Sequence, residues 1–228
     1  MTATRQLIGD LLLRRDQAIR LAEKRAAGMQ HPRGALTPRE RVALLTDAGS
    51  FVQLDELTAG GLVAGHATVD GRRIAVYAHD ATQGVGAMGE AEATTAAKVI
   101  RLAVRTECPV VGLVDSVGAR LDVAGMAGHA AFTRAQARAA GVIPQVSVVL
   151  GVCAGESLLS VGLADVTVAL ASAGLPHADY RATDEADAVD WVQCLLSHLP
   201  PARADHPEVV PDELELDGLV PDDGAGYD

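Results

Sequence analysis

The chain has 228 residues and a formal net charge of −11 at pH 7; 49% of it is hydrophobic and only 3% aromatic. That length allows one domain with extensions and a sizeable core, filled by Ala, Val, Leu and Gly rather than by rings. The acidic balance argues against a nucleic-acid or anionic-membrane surface. Cys108, Cys153 and Cys194 are an odd, scattered set without metal-ligand spacing, which points to a reducing compartment and to no metal site. Residues 1–10 lack a signal-peptide layout and no apolar run reaches membrane-spanning length, so the expectation is a soluble, cytoplasmic protein.

Residues 2–28 read as a helix, with Leu7, Leu11 and Leu12 at helical spacing among many charges and Gly28 as its stop. One apolar stripe on so charged a helix suggests packing on a body or a partner. Thr37, Pro38 and Glu40 form a capping box that opens a short helix over 38–45. Arg33, Arg39 and Arg41 make a small basic patch, suited to phosphate if it is not simply solvated. Residues 63–69 and 73–78 flank Asp70-Gly71, a hairpin signal. A helix follows from about 89 to 106. Residues 109–114 form a buried strand, 127–140 a helix stopped at Gly141, and 145–151 a second strand. A short helix runs to about 163, and 165–170 is a further strand. Residues 171–180 read as irregular. Thr183 caps a helix over 184–198 with two carboxylates in its first turn. Residues 202–228 carry prolines and many acids and read as extended, lying on a surface or free.

Two glycine-bearing turns organise this pattern. Residues 114–120, Val-Asp-Ser-Val-Gly-Ala-Arg, follow the first buried strand. Residues 152–157, Val-Cys-Ala-Gly-Glu-Ser, follow the second. If the strands are parallel neighbours, both turns lie at one sheet edge. Main-chain N–H groups and helix N-termini then face one crevice suited to an oxyanion. Residues 84–89, Gly-Val-Gly-Ala-Met-Gly, also spell a dinucleotide fingerprint. Five residues separate it from the preceding strand, however, and that strand belongs to a hairpin, so nucleotide binding is disfavoured.

Several stretches together resemble the N-terminal half of the carboxyltransferase β-subunits of acyl-CoA carboxylases, the propionyl-CoA type above all. They are 34–51 (GALTPRERVALLTDAGSF), 69–75, 86–90 with Lys98, and 108–120 (CPVVGLVDSVGAR). Further on come 141–155 (GVIPQVSVVLGVCAG), 183–200 (TDEADAVDWVQCLLSHLP) and the closing 220–222. They run in the same order over most of the chain. The resemblance implies a crotonase-like α/β fold, a ββα superhelix present as a single half-domain. It would have a helical segment at 1–50, the crotonase-like domain at 51–200 and an acidic, proline-rich tail at 201–228. It also implies an acyl thioester of CoA or a carrier protein, whose enolate is held by two main-chain amides. By position those amides belong to Gly118 and Ala154. Gly86, Ala87, Val117 and Gly155 border the pocket, and Arg33 and Arg39 fall where the nucleotide end of CoA approaches. Arg120 pairs with a carboxylate of the protein or grips one on the substrate.

Departures from the pattern accompany the likeness. The repeated half that builds a biotin site is absent from these residues, and residues 171–181 replace a longer segment. Two Gly-Gly pairs read Val85-Gly86 and Val117-Gly118. Glu156 is either a carboxylate stabilising a helix start or an acid whose pKa is raised by partial burial and which protonates the enolate. His79 and His129 are weaker candidates for that proton, and Cys153 reads as a small core residue. No tightly bound cofactor is expected, and biotin would enter only through a partner. Three functions remain open: biotin-independent decarboxylation of a malonyl-type thioester, carboxyl transfer with a separate subunit, or a non-catalytic binding subunit. A homo-oligomer, trimer or hexamer, is implied by the fold analogy alone.

Overall fold

The computed structural model describes residues 3–57 and 60–200, with side chains from residue 8 onward. The expected tail at 201–228 lies outside the described residues. Helix α1 spans Ala3–Gln30 and runs on into a tight turn, His31–Arg33. Its stop is Gly34 rather than Gly28, because Gly34 adopts φ +72° and its N–H closes on the His31 carbonyl. Leu11 and Leu12 of the expected stripe are exposed, as are Ile8 and Leu13, so these side chains do not pack on this chain's own body; the Leu7 side chain lies outside the described residues. The far end of α1 does pack: Ala26 and Gln30 are buried, and Arg25 reaches Asp80 at 3.0 Å. Helix α2 is Pro38–Leu45, opened by the expected capping box of Thr37 and Glu40.

A single seven-stranded sheet follows, in the spatial order β1 to β7. Strands β1 (Val52–Gln53), β2 (Leu62–Val69) and β3 (Arg72–His79) form an antiparallel meander. Asp70 and Gly71 both take positive φ in the hairpin, and Asp47 receives both of their N–H groups at 2.9 Å. From β3 onward all neighbours are parallel: β4 (Val110–Ser116), β5 (Gln145–Cys153), β6 (Val166–Leu170) and β7 (Tyr180–Ala182). Strand β4 is buried at every position, as a central strand covered on both faces must be.

Helices cover both faces. α2 and α6 (Glu185–His198) pack through Val42, Leu45, Val189 and Val192 onto Ile74, Val76 and Val111. α3 (Glu90–Thr106) and α4 (Val123–Ala139) pack through Ala93, Ala96, Ile100 and Phe132 onto Ala75 and Tyr77. Alternate residues of β3 thus serve opposite layers. Small residues let α3 and α4 approach closely; a Cβ at Gly128 would stand 3.1 Å from the Ala93 methyl. Two helix starts differ from expectation. α4 begins four residues earlier because Asp122 caps it, accepting from Gly125 N at 2.7 Å. α6 is capped by Asp184, not Thr183, with Asp184 accepting from Asp187 N at 2.9 Å. The stretch read as irregular opens with a short turn, Ala171–Ala173, stays irregular over 174–179, and ends at Tyr180, the first residue of strand β7.

Candidate active site

The parallel order β3-β4-β5 brings three strand-to-helix turns to one sheet edge. The β3 turn carries Val85 and Gly86, the β4 turn Val117 to Arg120, and the β5 turn Ala154 and Gly155, which opens α5 (Glu156–Gly162). They are laced by the backbone: Val117 N donates to Val85 O at 3.2 Å, Met88 N to Gly118 O at 2.8 Å, and Ala154 N to Ser116 O at 3.3 Å. Glycine is obligatory at two contacts. A Cβ at Gly86 would lie 2.0 Å from the Asp115 carbonyl oxygen, and one at Gly155 would lie 2.6 Å from that of Val117. Both residues have positive φ, +73° and +57°.

The structure brings Gly118, Ala154, Glu156, Val117, Gly86 and Gly155 together, with half-buried Ala87 just behind. It spends the two expected amides elsewhere, however. Gly118 N donates to Ser116 Oγ at 2.9 Å, and that hydroxyl donates to Gly86 O at 2.7 Å. Ala154 N donates to Ser157 Oγ at 2.9 Å, and Ser157 Oγ donates to Ser116 O at 2.7 Å. Ser116 and Ser157 are thus the hydroxyls that set this edge. Their sequence signal is a Ser beside each glycine turn, where a short hydroxyl side chain bonds to local backbone.

The amides that do meet an anion lie further along each turn. Ala119 N donates to Glu156 Oε2 at 3.3 Å. The N–H of Glu156 itself is the larger influence on this carboxyl, followed by that of Ala119, and together they hold it below the ordinary glutamate range. The expectation of a pKa raised by burial is therefore corrected: Glu156 is partly exposed and stays ionised because its charge sits on main-chain donors.

Behind the crevice, Arg41 is fully buried and ties its floor together. It donates to Asp115 Oδ2 at 3.0 Å and forks onto Glu185 at 3.0 and 2.7 Å. Asp115 Oδ1 accepts from Val152 N at 2.9 Å, across the irregularity where the β4–β5 register shifts. The expected arginine patch is accordingly divided. Arg41 is internal, Arg39 bonds to Gln53 and lies 3.5 Å from Glu23, and Arg33 is exposed. Arg120 stands at the mouth, exposed, 3.7 Å from Glu92.

Burial pushes His79 down to about 4, and its Nδ1–H donates to Leu113 O at 3.2 Å. Burial also lowers His129, whose Nε2–H donates to Glu156 O at 3.3 Å. Both shifts favour the neutral ring, and each ring donates to a main-chain carbonyl. Burial pushes the Cys153 thiol up, in keeping with a packing residue. Among the described residues no group of three metal-ligating side chains occurs, and no helix is long and apolar enough to cross a membrane.

Residues 29–176 match the carboxyl transferase domain. The chain belongs to the carboxyl transferase domain family. It is 33% identical to the propionyl-CoA carboxylase beta chain of Saccharopolyspora erythraea, over 94% of this chain and 51% of that protein. It is 39% identical to the methylmalonyl-CoA decarboxylase alpha subunit of Veillonella parvula, over 64% of this chain and 33% of that one. One chain of the transcarboxylase 12S crystal structure superposes with a TM-score of 0.78 at 24% identity, covering all of this chain and 55% of that one, and so attests the crotonase-like fold. This carboxyl transferase domain spans about half the length of the curated relatives it matches. Its alignment to the S. erythraea protein runs over 279 positions, more than its own 228 residues, so that relative carries inserted residues.

Proposed function

We propose that the β4–β5 crevice takes the carbonyl oxygen of a malonyl-type acyl thioester, on CoA or a carrier protein, and releases CO2 without biotin. The bond from the α-carbon to the carboxyl group breaks, its electron pair passes into the thioester as an enolate, and the α-carbon then takes a proton from solvent. The observation that supports this reading is the convergence of main-chain donors from two neighbouring turns on one carboxylate, that of Glu156. Pre-aimed amides of this kind contribute about 3–4 kcal/mol each to acyl chemistry. In this reading Glu156 is a stand-in for the enolate oxygen and swings out when substrate enters. Gly118 N and Ala154 N join by exchanging Ser116 and Ser157 hydroxyls for the same oxygen.

A second reading is carboxyl transfer in which a separate chain supplies the other half and brings biotin. It is favoured by the exposed apolar side chains bordering the crevice: Val85, Leu121, Val123 and Leu158. An oligomer of this chain would use the same rim.

Mass spectrometry of the purified protein incubated alone with malonyl-CoA and methylmalonyl-CoA tests the first reading. The expected result is loss of CO2, faster in Glu156→Ala than in the parent. Turnover only after adding a biotin-bearing partner chain selects the second reading. Inertness of both proteins under both conditions leaves a non-catalytic binding subunit and removes the enzymatic assignment.

A further inference from the structure

A concentration of positive charge lies away from the crevice. A groove of about 480 Å³ between α3 and α4 is walled by Lys98, Arg101, Arg105, Arg134 and Arg138. All five are exposed. Lys98 pairs with Asp55 at 2.6 Å, whereas none of the four arginines has an ion-pair partner among the described residues. Like charges three and four positions apart on a helix repel, and an acidic chain has carboxylates to spare for separating them. The floor of the groove is apolar, with Ile100 and Val104.

The carboxylates are gathered in one stretch of sequence. Residues 202–228 hold nine Asp or Glu against a single arginine, most of the whole chain's excess of −11. Their centre, Asp212-Glu213-Leu214-Glu215-Leu216-Asp217, alternates acid with leucine, the pattern that a cationic groove with an apolar floor would take.

The stretch departs from the right place. Arg72 donates to the Leu196 and Leu199 carbonyls and fixes the end of α6. Pro200 then shares a cavity with Thr106 and Glu107, the residues that close α3 directly after Arg105. From Pro200 to Asp212 an extended chain reaches about 40 Å, whereas the groove from Arg105 back to Lys98 is only about 10 Å long. Tethering makes the encounter intramolecular, so weak individual pairs suffice.

We infer that the acidic segment 205–217 docks in the α3–α4 groove of its own chain, its carboxylates on the four arginines and Leu214 and Leu216 on Ile100 and Val104. A photo-crosslinking benzoylphenylalanine placed at Leu214 of the full chain tests this, with peptides mapped by mass spectrometry. The expected result is a crosslink within one chain to residues of α3 or α4. Its yield should fall about fivefold in the Arg101→Glu/Arg134→Glu variant and recover when Glu213→Lys and Glu215→Lys are added. Unchanged thermal melting confirms that these variants are folded. Crosslinks to the crevice, crosslinks only between chains, or a yield indifferent to the charge reversal would each overturn the inference. So would loss of the crosslink on adding millimolar inorganic phosphate at fixed ionic strength, which would reassign the groove to a free phosphate ligand.

Discussion

Arg41→Met is the perturbation whose cost the structure sets most directly. The guanidinium is 1% exposed and holds two carboxylates, Asp115 and Glu185, that are 7% and 10% exposed. Methionine keeps an unbranched apolar stem in place of the arginine's, is shorter at its tip, and leaves both charges without a cation. Removing one member of a buried ion pair costs about 3–5 kcal/mol. For a domain of this size that is a fall in Tm of roughly 6–20 °C. Urea unfolding and thermal melting, both followed by circular dichroism, read the two quantities. The triple variant Arg41→Met/Asp115→Asn/Glu185→Gln should regain most of the loss. It removes the orphaned charges, while the side-chain amide oxygen introduced at position 115 still accepts from Val152 N. A single variant losing less than about 1 kcal/mol would refute the reasoning, and so would a triple variant as unstable as the single.

Three further outcomes are expected. His79 has a folded pKa of about 4 against 6.5 in the unfolded chain, so the unfolded state binds the proton first as pH falls. Stability should therefore drop by about 3 kcal/mol between pH 7 and pH 4, and this part of the slope should vanish in His79→Gln when urea unfolding is repeated at each pH. Glu156 is depressed, so its contribution is present above the ordinary glutamate value and is lost as pH falls through its own midpoint; a carboxyl ¹³C titration should place that midpoint below 4.5 and show no change through neutral pH. Val85 sits at φ +56°, ψ +38°, a left-handed conformation that penalises a β-branched residue, so Val85→Gly should stabilise the fold by about 1 kcal/mol in urea unfolding despite the added freedom of the unfolded chain.

The framework was legible where local chemistry is strong. Thr37 with Glu40, Asp70 with Gly71, and the uninterrupted apolar run of β4 each specify one backbone outcome. The crevice was legible as a place, because glycine turns after two parallel strands must share an edge. Its donors were not. Which amide is left pointing outward depends on where Ser116 and Ser157 hydroxyls spend themselves, and that is settled by contacts 30 and 41 residues apart. Glu156 misled for the same reason: a sequence shows a carboxyl near a helix start, but not that the neighbouring turn offers it a second N–H. Proline at Gly118, an obvious way to delete that amide, would not test it, because φ there is +99° and proline cannot follow. The arginines at 39 and 41 looked equivalent in sequence, yet one faces Gln53 and Glu23 while the other is sealed under the sheet edge.

The single tryptophan of the chain, Trp191, lies on α6 with its ring stacked on Tyr180 of β7, centroids 5.1 Å apart at 12°. Intrinsic fluorescence of this protein is therefore a gauge of one joint, the seating of α6 on the last strand. α6 opens with Glu185, which is clasped by Arg41 and through it by Asp115 at the crevice floor. An optical titration that moves the emission on adding a thioester would mean that filling the crevice is felt at the opposite end of that clasp. One that stays silent while calorimetry records heat would confine the event to the three turns.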